Sequence, residues 1–319
     1  MKISVAMATY NGARFIGEQL ASLAAQSRLP DELVVCDDAS SDGTVAILER
    51  FAATAPFPVR VERNPSNLGF NGNFGRALSL AGGDLVFLSD QDDVWYPEKI
   101  EAAAAFLQAH PHFSAAINDE DLAGGDGRPL GASFLENVRK LGYRDLYHVA
   151  GCCTVLSAAL VPLLLPFPDV GNYDGWIAEL TDRLGLRGVL DRRLQLYRRH
   201  GGNSTGSVLV EAKASRWKLI RAYALEDPRE PWRETVAILS ACRERIASRR
   251  GLAAALAGEA RVEAALAGLD AEIERWSRRL ALLDRPRPLR AAAVLRLWAS
   301  GFYRGFAGGK SALKDMVRA

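Results

Sequence analysis

Short apolar runs alternate with helically spaced apolar residues through the first hundred residues of the chain. The apolar runs cover residues 3–8, 33–36, 59–61 and 85–88, and helical spacing covers residues 13–25, 44–53, 71–80 and 98–109. Asp42 is positioned to cap the second helix, and Pro97 is placed in the first turn of the fourth. Strands that alternate with helices predict an α/β fold with a mostly parallel sheet covered on both faces.

The pattern becomes less regular after the first hundred residues. It predicts strands over residues 113–117, 149–156 and 194–197, a hairpin tip over 124–129 and a helix over 174–184. Helical spacing then dominates over residues 213–225, 231–249, 252–283 and 290–298. We therefore predict an α/β domain over residues 1–207 and a helical extension over 208–319, a candidate membrane-surface or oligomerisation element.

The composition is that of a globular protein with no reason to bind nucleic acid. The 319 residues are 49% hydrophobic and carry a net charge of only +2. The four cysteines form neither a zinc motif nor a disulfide framework, and the adjacent Cys152 and Cys153 are expected to be small buried residues. No apolar run approaches the ~18 residues of a membrane span. We expect a cytoplasmic protein, soluble or peripheral at the inner face of the membrane.

Basic residues are concentrated at the C-terminus. From Arg285 onward there are eight basic residues and one acid, Asp315. The interleaved apolar residues are Leu295, Leu297, Trp298, Phe302, Tyr303 and Phe306. This pattern suits an amphipathic element on an anionic membrane, and it equally suits a helix that packs on its own domain or on a second subunit, for example in a homodimer.

Three carboxylates follow the apolar run of residues 85–88. Asp90, Asp92 and Asp93 would repel one another unless a cation binds there. Mg²⁺ and Mn²⁺ take oxygen ligands from carboxylates and share their other positions with substrate phosphates. The carboxyl end of a strand is also where ligands bind in open α/β sheets. The cluster predicts a metal site for a phosphorylated or nucleotide-linked substrate; a solvated acidic turn is the alternative.

Two further polar segments follow predicted strands. Asp37 and Asp38 end the second strand, where a carboxylate can accept hydrogen bonds from a nucleotide base or ribose. The alternative is a turn with a helix cap, which suits Asp42 better. Residues 64–73 are rich in turn formers, so Asn73 is either a substrate contact or part of a helix-capping connection.

Two candidate residues lie in the second half of the chain. Asp174 stands at a predicted helix start, where it is either an N-cap or a general base. His200 follows Arg198 and Arg199 in a polar loop. Imidazole is a ligand for Mn²⁺ and guanidinium groups bind phosphates, although a lone histidine is more often structural.

Taken in order, these motifs resemble those of the family 2 glycosyltransferases, which have the GT-A fold. The matching segments are Val5-Ala6-Met7-Ala8-Thr9-Tyr10-Asn11-Gly12, Asp37-Asp38-Ala39-Ser40-Ser41-Asp42-Gly43-Thr44, Asn67-Leu68-Gly69 with Asn73, and Asp90-Gln91-Asp92-Asp93. The last segment occupies the place of the family's metal-binding DxD motif. The resemblance does not cover the C-terminal helices.

The chain is most similar to bacterial rhamnosyltransferase-type members, through residues 89–95 and 197–203. In those members an aspartate commonly precedes one or two tryptophans and is the expected base. Here the matching segment is Tyr173-Asp174-Gly175-Trp176, so Gly175 intervenes and weakens the assignment of Asp174.

The resemblance implies an inverting, metal-dependent glycosyltransferase. It would move a sugar, with rhamnose as the candidate, from a dTDP- or UDP-sugar to a hydroxyl of a cell-surface glycan or lipid-linked acceptor, with Mn²⁺ or Mg²⁺ as cofactor. The implied base is Asp174. The implied nucleotide-sugar contacts are Thr9, Tyr10, Asn11, Asp37, Asp38, Asn67, Asn73, Asp90, Gln91 and Arg199. The implied metal ligands are Asp90, Asp92, Asp93 and His200.

Two other classes of protein are weighed against this one. A sugar nucleotidyltransferase would be expected to carry a glycine-rich basic loop near the first strand, where residues 8–14 offer only Gly12 and Arg14. A non-catalytic nucleotide-sugar-binding protein would explain the helical C-terminus but gives no role to Asp174 and His200.

Overall fold

The computed structural model describes residues 1–140, 150–200, 227–306 and 308–317. The chain forms two compact units, Met1–Val208 with Arg249–Val262 and Leu209–Ser248 with Glu263–Ala319. The predicted boundary at residues 207 and 208 and the predicted helix over 213–225 lie outside the described residues.

One sheet forms the centre of the first unit. Its strands are β1 (Ile3–Thr9), β2 (Glu32–Asp37), β3 (Val59–Arg63), β4 (Leu85–Ser89), β5 (Val94–Trp95), β6 (Ala115–Ala123), β7 (Pro129–Ser133), β8 (Thr154–Ser157) and β9 (Arg187–Arg198). Across the described residues the strand order is β3-β2-β1-β4-β8-β6-β9-β5, with β7 paired to β6. The pairs among β1 to β4 and the pair β6–β9 are parallel, whereas β5, β7 and β8 run antiparallel to their neighbours. The predicted mostly parallel sheet is confirmed.

Helices precede or follow most of these strands. They are α1 (Ile16–Ala24), α2 (Thr44–Ala52), α3 (Gly69–Leu80), α4 (Lys99–Ala109), α5 (Phe134–Lys140), α6 (Val161–Leu164), α7 (Tyr173–Arg183), α8 (Arg229–Ser248), α9 (Arg250–Ala257), α10 (Glu259–Leu283), α11 (Arg287–Ala299) and α12 (Gly309–Val317). The predicted single helix over 252–283 is therefore two helices. Gly258 separates them, because its φ of 84° lies in the left-handed region that glycine tolerates.

The core of the first unit explains why β1 and β4 are almost wholly apolar. Both strands lie inside the sheet, and residues such as Ile3, Val5 and Met7 pack in one buried cluster with Ile16 and Leu20 of α1. Strands covered on both faces need continuous apolar sequence rather than alternation.

Several predicted boundaries differ from the structure. Pro97 lies outside α4, which begins at Lys99; the Pro97 carbonyl instead accepts a hydrogen bond from the Ser27 amide at 2.7 Å. Gly43 occupies the N-cap position of α2, although the Asp42 carboxylate still accepts from the Thr44 amide at 3.0 Å.

Three strand predictions also needed correction. The strand predicted over 194–197 is the twelve-residue β9, and the one predicted over 113–117 extends to residue 123 as β6. The described part of the strand predicted over 149–156 contains a 3₁₀ turn at Gly151–Cys153, so β8 begins only at Thr154. Charged residues inside β6 and β9 interrupt the apolar pattern, so the pattern predicted strands that were too short.

The strand register brings three chain segments to one edge of the sheet. Thr9 at the end of β1 pairs with Asp37 at the end of β2, and Met7 pairs with Ser89 at the end of β4. The residues that follow these strands therefore emerge side by side, as parallel strands require.

The second unit is helical in its described part. A cluster of Leu282, Ala293, Val294, Tyr303 and Ala312 forms its apolar centre. None of the helices in the described ranges has the length and hydropathy that a membrane-spanning segment requires.

A buried ion pair lies beside this cluster. The Arg279 guanidinium donates to both oxygens of Asp315, at 2.8 and 2.7 Å, and the Tyr303 hydroxyl donates to the same carboxylate at 3.0 Å. The guanidinium also lies 4.1 Å from the Trp232 ring centre and 4.4 Å from that of Phe306. The charge is thus neutralised and stacked in the interior.

Candidate active site

A cavity of about 450 Å³ opens at the carboxyl ends of β1, β2 and β4. Its polar lining consists of Thr9, Tyr10, Asp38, Asn67, Asn73, Asp90, Gln91, Asp92, Glu120, Asn172 and Asp174. Its aromatic lining consists of Phe70, Phe74, Phe134, Tyr173 and Tyr197. The volume and the mixture of apolar walls with a few convergent polar groups are typical of a small-molecule site.

Asp38 forms one wall of this cavity. Its Oδ1 accepts from Asn64 Nδ2 and from the Leu68 amide, each at 2.7 Å, and its Oδ2 accepts from the Gly69 amide at 2.9 Å. Asn64 Nδ2 also donates to Asn73 Oδ1 at 3.0 Å. The carboxylate is thereby held in one orientation, and the N-terminal end of α3 is fixed against it.

Asp37 does not line the cavity, although it is adjacent to Asp38. It is fully buried, and its oxygens accept from the Thr9 hydroxyl at 2.9 Å and from the amide and hydroxyl of Ser40 at 2.9 and 2.6 Å. Both of its oxygens thus accept hydrogen bonds from groups of the protein itself. The geometry therefore gives Asp37 the task of holding the turn, and leaves Asp38 as the carboxylate that faces the cavity.

Asn11 and Asn67 support the neighbouring turns. Asn11 has a φ of 47°, which asparagine tolerates, and its side chain accepts from the Ser41 amide at 2.9 Å outside the cavity. Asn67 lines the cavity, and its oxygen accepts from the Gly69 amide at 2.9 Å.

Gln91 ties the acidic loop, which we define as residues 90–93, to the end of β1. Its amide oxygen accepts from the Tyr10 amide and its amide nitrogen donates to the Tyr10 carbonyl, both at 2.9 Å. A Cβ built on Gly12 would overlap this side chain, so a glycine is required there for the close approach. The spacing between Tyr10 and the aspartates is consequently fixed.

The acidic loop places Asp90 and Asp92 on the cavity and Asp93 behind it. Burial and the nearby charge of Asp92 raise the pKa of Asp90 to about 8, with further contributions from Asp174 and Glu120. Asp93 is 1% exposed, and burial raises the pKa of its carboxyl well above the usual value. So many converging carboxylates favour either bound protons or a bound cation.

A buried polar network lies behind this loop. Gln195 Nε2 donates to Asp93 Oδ2 at 3.2 Å and to Glu120 Oε2 at 3.1 Å, and Gln195 Oε1 accepts from the Lys99 ammonium. Lys99 also donates to the Cys152 carbonyl at 2.6 Å and lies 3.9 Å from the Trp95 ring centre. The ammonium of Lys99 therefore sits in the interior beside the buried acids, and burial lowers its pKa.

His200 contacts the acidic loop from β9's far end. Its Nε2 lies 2.8 Å from Asp92 Oδ2, and its ring stacks on Phe15, with centres 4.5 Å apart. Arg198 also contacts this ring. Its guanidinium donates to Glu18 at 2.6 Å and lies 5.1 Å from the Phe15 ring centre. The start of α1 thus holds the imidazole against Asp92.

Asp174 lines the cavity near the start of α7. Asn172, not Asp174, is the N-cap, and its side-chain oxygen accepts from the Gly175 amide at 3.2 Å. A Cβ on Gly175 would lie 2.5 Å from that oxygen, which explains the glycine before Trp176. Burial raises the pKa of Asp174, while bonds from the Gly175 and Gly151 amides oppose the shift. Asn172 rather than Asp174 caps the helix, and the Asp174 carboxylate lines the cavity while its Oδ1 accepts from the Gly175 amide at 2.8 Å.

Tyr173 fixes the aromatic side of the site. Its ring stacks on Phe74 with centres 4.2 Å apart, and its hydroxyl occupies the space that a side chain on Gly151 would need. The residue before Asp174 is therefore pinned, which limits the movement of the carboxylate.

Comparison with protein-family models matches residues 4–161 to glycosyl transferase family 2. This domain belongs to that family. The chain is similar to the dTDP-rhamnosyl transferase RfbG of Shigella flexneri, with 28% identity over 232 residues, 67% of this chain and 79% of RfbG. It is also similar to the putative glycosyltransferase EpsE of Bacillus subtilis, with 37% identity over 112 residues, which is 35% of this chain and only 40% of EpsE.

Two crystal structures share the fold of this chain. Staphylococcus aureus TarS in complex with UDP gives a TM-score of 0.56 at 22% identity, over 93% of this chain and 79% of that one. The mannosyltransferase PcManGT of Pyrobaculum calidifontis, in complex with GDP-Man and Mn²⁺, gives 0.52 at 18% identity, over 99% and 86%. Both structures confirm the GT-A fold predicted for the chain.

The residues of the acidic loop fit a hard divalent cation. Asp90 and Asp92 offer carboxylate oxygens to the cavity, and Asp93 Oδ1 is buried without a hydrogen-bond partner among the described residues. The ligand atoms of Asp90, Asp93 and Cys152 lie within 4.8 Å of one another. The pKa of the Cys152 thiol is raised well above its usual value, chiefly by the hydrogen bond that it donates to Cys153 and by burial, and hard divalent cations prefer the oxygen ligands of the aspartates.

Most of the site residues predicted from sequence meet at the cavity. Those that line it are Thr9, Tyr10, Asp38, Asn67, Asn73, Asp90, Gln91, Asp92 and Asp174. Those that do not are Asn11, Asp37, Asp93, Arg199 and His200. Of these, His200 still contacts Asp92, whereas the described contact of Arg199 is a backbone one, from its amide to the Ala123 carbonyl at 2.9 Å.

Sequence reasoning missed the residues contributed by β6 and by the 3₁₀ turn. Glu120 and Cys152 line the cavity, and burial raises the pKa of Glu120 to about 7. A signal for Glu120 was present, because residues 118–121 form a polar, mostly acidic run after a predicted strand. Cys152 had no such signal.

Proposed function

We propose that the chain is an inverting glycosyltransferase that uses a nucleoside-diphosphate sugar. The observation that carries this proposal is the convergence of Asp38, Asp90 and Asp92, which lie in the matched family 2 glycosyltransferase segment, with Asp174 on one cavity. Asp90 and Asp92 lie on the acidic loop, Asp38 follows the end of β2, and Asp174 lies at the start of α7.

The donor would bind along the carboxyl ends of β1, β2 and β4. Asp38 and the Thr9–Tyr10 segment would contact the nucleoside, with Asn67 and Asn73 nearby. A dTDP- or UDP-sugar is our candidate donor and rhamnose our candidate sugar, since the similar RfbG is named a dTDP-rhamnosyl transferase and the TarS structure contains UDP.

Asp90 and Asp92 would hold Mn²⁺ or Mg²⁺, with Asp93 and His200 in support. When bound, such a cation neutralises the charge that develops on the leaving diphosphate. The PcManGT structure, which contains Mn²⁺, supports the choice of metal class. The chain's own part is to keep the loop in place through Gln91 and to orient His200 through Phe15.

Asp174 would act as the general base. Its carboxylate would take the proton from an acceptor hydroxyl as that oxygen bonds to the anomeric carbon and the bond to the diphosphate breaks. Attack from the face opposite the leaving group inverts the anomeric configuration. A partly buried carboxylate with a raised pKa is suited to this role, because it is a stronger base than an exposed one.

The acceptor would be a cell-surface glycan or a lipid-linked saccharide, handled at the cytoplasmic face of the membrane. In this proposal residues 1–207 are the catalytic domain and residues 208–319 are an extension that serves location or assembly rather than chemistry.

The decisive experiment measures nucleoside diphosphate released from a panel of nucleotide sugars with an acceptor, with and without Mn²⁺ or Mg²⁺. We expect Asp174→Asn to lower kcat by about 10²–10⁴-fold while donor affinity stays near that of the wild type. Asp92→Ala should abolish metal-dependent donor binding in calorimetry. Asp84→Asn, at the opposite end of β4, is the matched control and should leave both unchanged.

Four results would count against the proposal. Release of pyrophosphate would indicate a nucleotidyltransferase, and no turnover with any donor would indicate a binding protein. Unchanged kcat in Asp174→Asn would remove that residue from the mechanism. A product with retained anomeric configuration by NMR would exclude direct inversion.

A further inference from the structure

The second unit exposes an apolar stripe along α11. Leu289, Ala292, Leu295 and Trp298 recur at every third residue, so at 100° per residue they form an oblique line across the exposed half of the helix. Their three large side chains are 63%, 52% and 55% exposed. Large apolar side chains that are repeatedly exposed along one helix face mark an interaction surface rather than chance exposure.

The opposite side of α11 already has its packing partners. Ala293 and Val294 are buried in the apolar cluster of the second unit, and Arg290 is buried with its guanidinium bonded to the Leu283 and Arg285 carbonyls. The exposed stripe is therefore a second apolar face, which the packing of its own unit does not use.

The stripe continues onto α12. A Cβ on Gly309 would lie 3.8 Å from Trp298 Nε1, so the indole lies against the first residue of α12. Leu313 is one turn further along the same face of that helix and is 62% exposed. We name the set Leu289, Leu295, Trp298 and Leu313 the Trp298 face.

Among the described side chains from residue 285 onward, every exposed charge is positive. Arg285, Arg296, Arg304 and Lys310 are exposed on the same segment. From residue 285 onward the chain has a single acid, Asp315, and this carboxylate is fully buried against Arg279. No exposed acidic side chain of this segment therefore offsets the basic residues.

We propose that the Trp298 face binds the surface of an anionic lipid bilayer. Tryptophan and leucine side chains enter the interfacial region of a bilayer, and flanking arginine and lysine side chains attract anionic headgroups. A two-fold dimer through the same face is disfavoured, because it would bring two copies of the same basic set together at one interface with no exposed acid of this segment between them. This inference is independent of the proposed transfer reaction.

The test is flotation of the full-length chain with phosphatidylcholine vesicles that contain or lack phosphatidylglycerol. We expect binding only to the anionic vesicles and release in high salt. The double variant Leu295→Ser/Trp298→Ser should bind at least about tenfold more weakly, from the lost apolar burial. Arg296→Glu/Arg304→Glu should lose about as much through charge.

Matched controls change exposed residues of the first unit. Leu130→Ser removes a leucine that is 49% exposed on β7, and Arg50→Glu reverses an exposed charge on α2. Both should float like the wild type. Circular dichroism and nucleoside-diphosphate release should be the same for all variants, which separates loss of membrane binding from loss of folding or catalysis.

The inference fails if the wild type does not float with anionic vesicles. It also fails if the Leu295→Ser/Trp298→Ser variant floats as well as the Leu130→Ser control. A dimer in analytical ultracentrifugation that dissociates in the same variant, without flotation, would assign the face to a second copy of the chain instead.

Discussion

Gly12 and Gln91 provide a sharp test of how the acidic loop is positioned. Replacing Gly12 with alanine places a methyl group where the Gln91 amide lies, and the three nearest atoms to that methyl all belong to Gln91. Gln91 must then swing away and give up both hydrogen bonds to the Tyr10 backbone. Gly12→Ala and Gln91→Ala should therefore do the same damage.

The magnitude follows from two hydrogen bonds near the protein surface. Each contributes about 0.5–1 kcal/mol, so either single variant should lose about 1–2 kcal/mol of unfolding free energy. In the Gln91→Ala background the methyl meets no clash, and Gly12 does not have a positive φ. Adding Gly12→Ala there should cost nothing, which gives a coupling energy of about 1–2 kcal/mol.

Urea unfolding of the four proteins in this cycle measures the coupling. Gly17→Ala is the control, because that helical glycine has open space around its Cβ position and should gain roughly 0.5–1 kcal/mol. Donor titration by calorimetry should show weaker binding in both single variants, since Tyr10 and Gln91 line the cavity. If the two destabilisations simply add in the double variant, the proposed contact does not determine the choice of glycine.

Three further outcomes are expected. Asp315→Ala leaves Arg279 buried without its partner and should cost about 3–5 kcal/mol in urea unfolding, followed by tryptophan fluorescence; a loss below 1 kcal/mol would contradict the buried pair. Phe15→Ala removes the ring that stacks on His200. The free energy of metal-dependent donor binding should fall by more than the free energy of unfolding. Donor binding equal to that of the wild type would show that the stacking plays no part in donor binding. The pKa of Asp174 is raised, and only its carboxylate form accepts a proton. A plot of kcat against pH should therefore rise through that pKa and then level off. Asp174→Glu should shift the rising part of this plot, whereas Asp174→Asn should abolish it.

Three of the first four strands, β1, β2 and β4, could be predicted from sequence because they are buried on both faces. Their apolar runs are uninterrupted, so the carboxyl ends and the polar residues after them were correctly located. β9 was underestimated because Asp191, Arg192 and Arg193 are exposed within it and break the apolar pattern. The apolar pattern of a segment reflects which of its residues are buried. Whether the middle of a strand is buried depends on neighbours that the local sequence does not reveal.

The division of labour within the site was less predictable. Asp37 and Asp38 are adjacent at one strand end, and only the register with Thr9 directs the first inward and leaves the second on the cavity. Likewise, the N-cap of α7 is Asn172 rather than Asp174 because of the backbone conformation at that turn. Such choices depend on which oxygen meets which amide in three dimensions.

The position of β9 has a consequence for how the domain is assembled. The matched family segment ends at residue 161, yet β9 pairs with β6 on one side and β5 on the other, and it carries Gln195 together with the approach to His200. The last strand of the described residues thus fills a gap between strands made much earlier, a non-local pairing that slows folding. During synthesis the acidic loop would remain uncovered until residue 200 is available. A fragment cut at residue 161 should retain the Asp38 wall but present the unpaired edges of β5 and β6, and should aggregate rather than bind a donor.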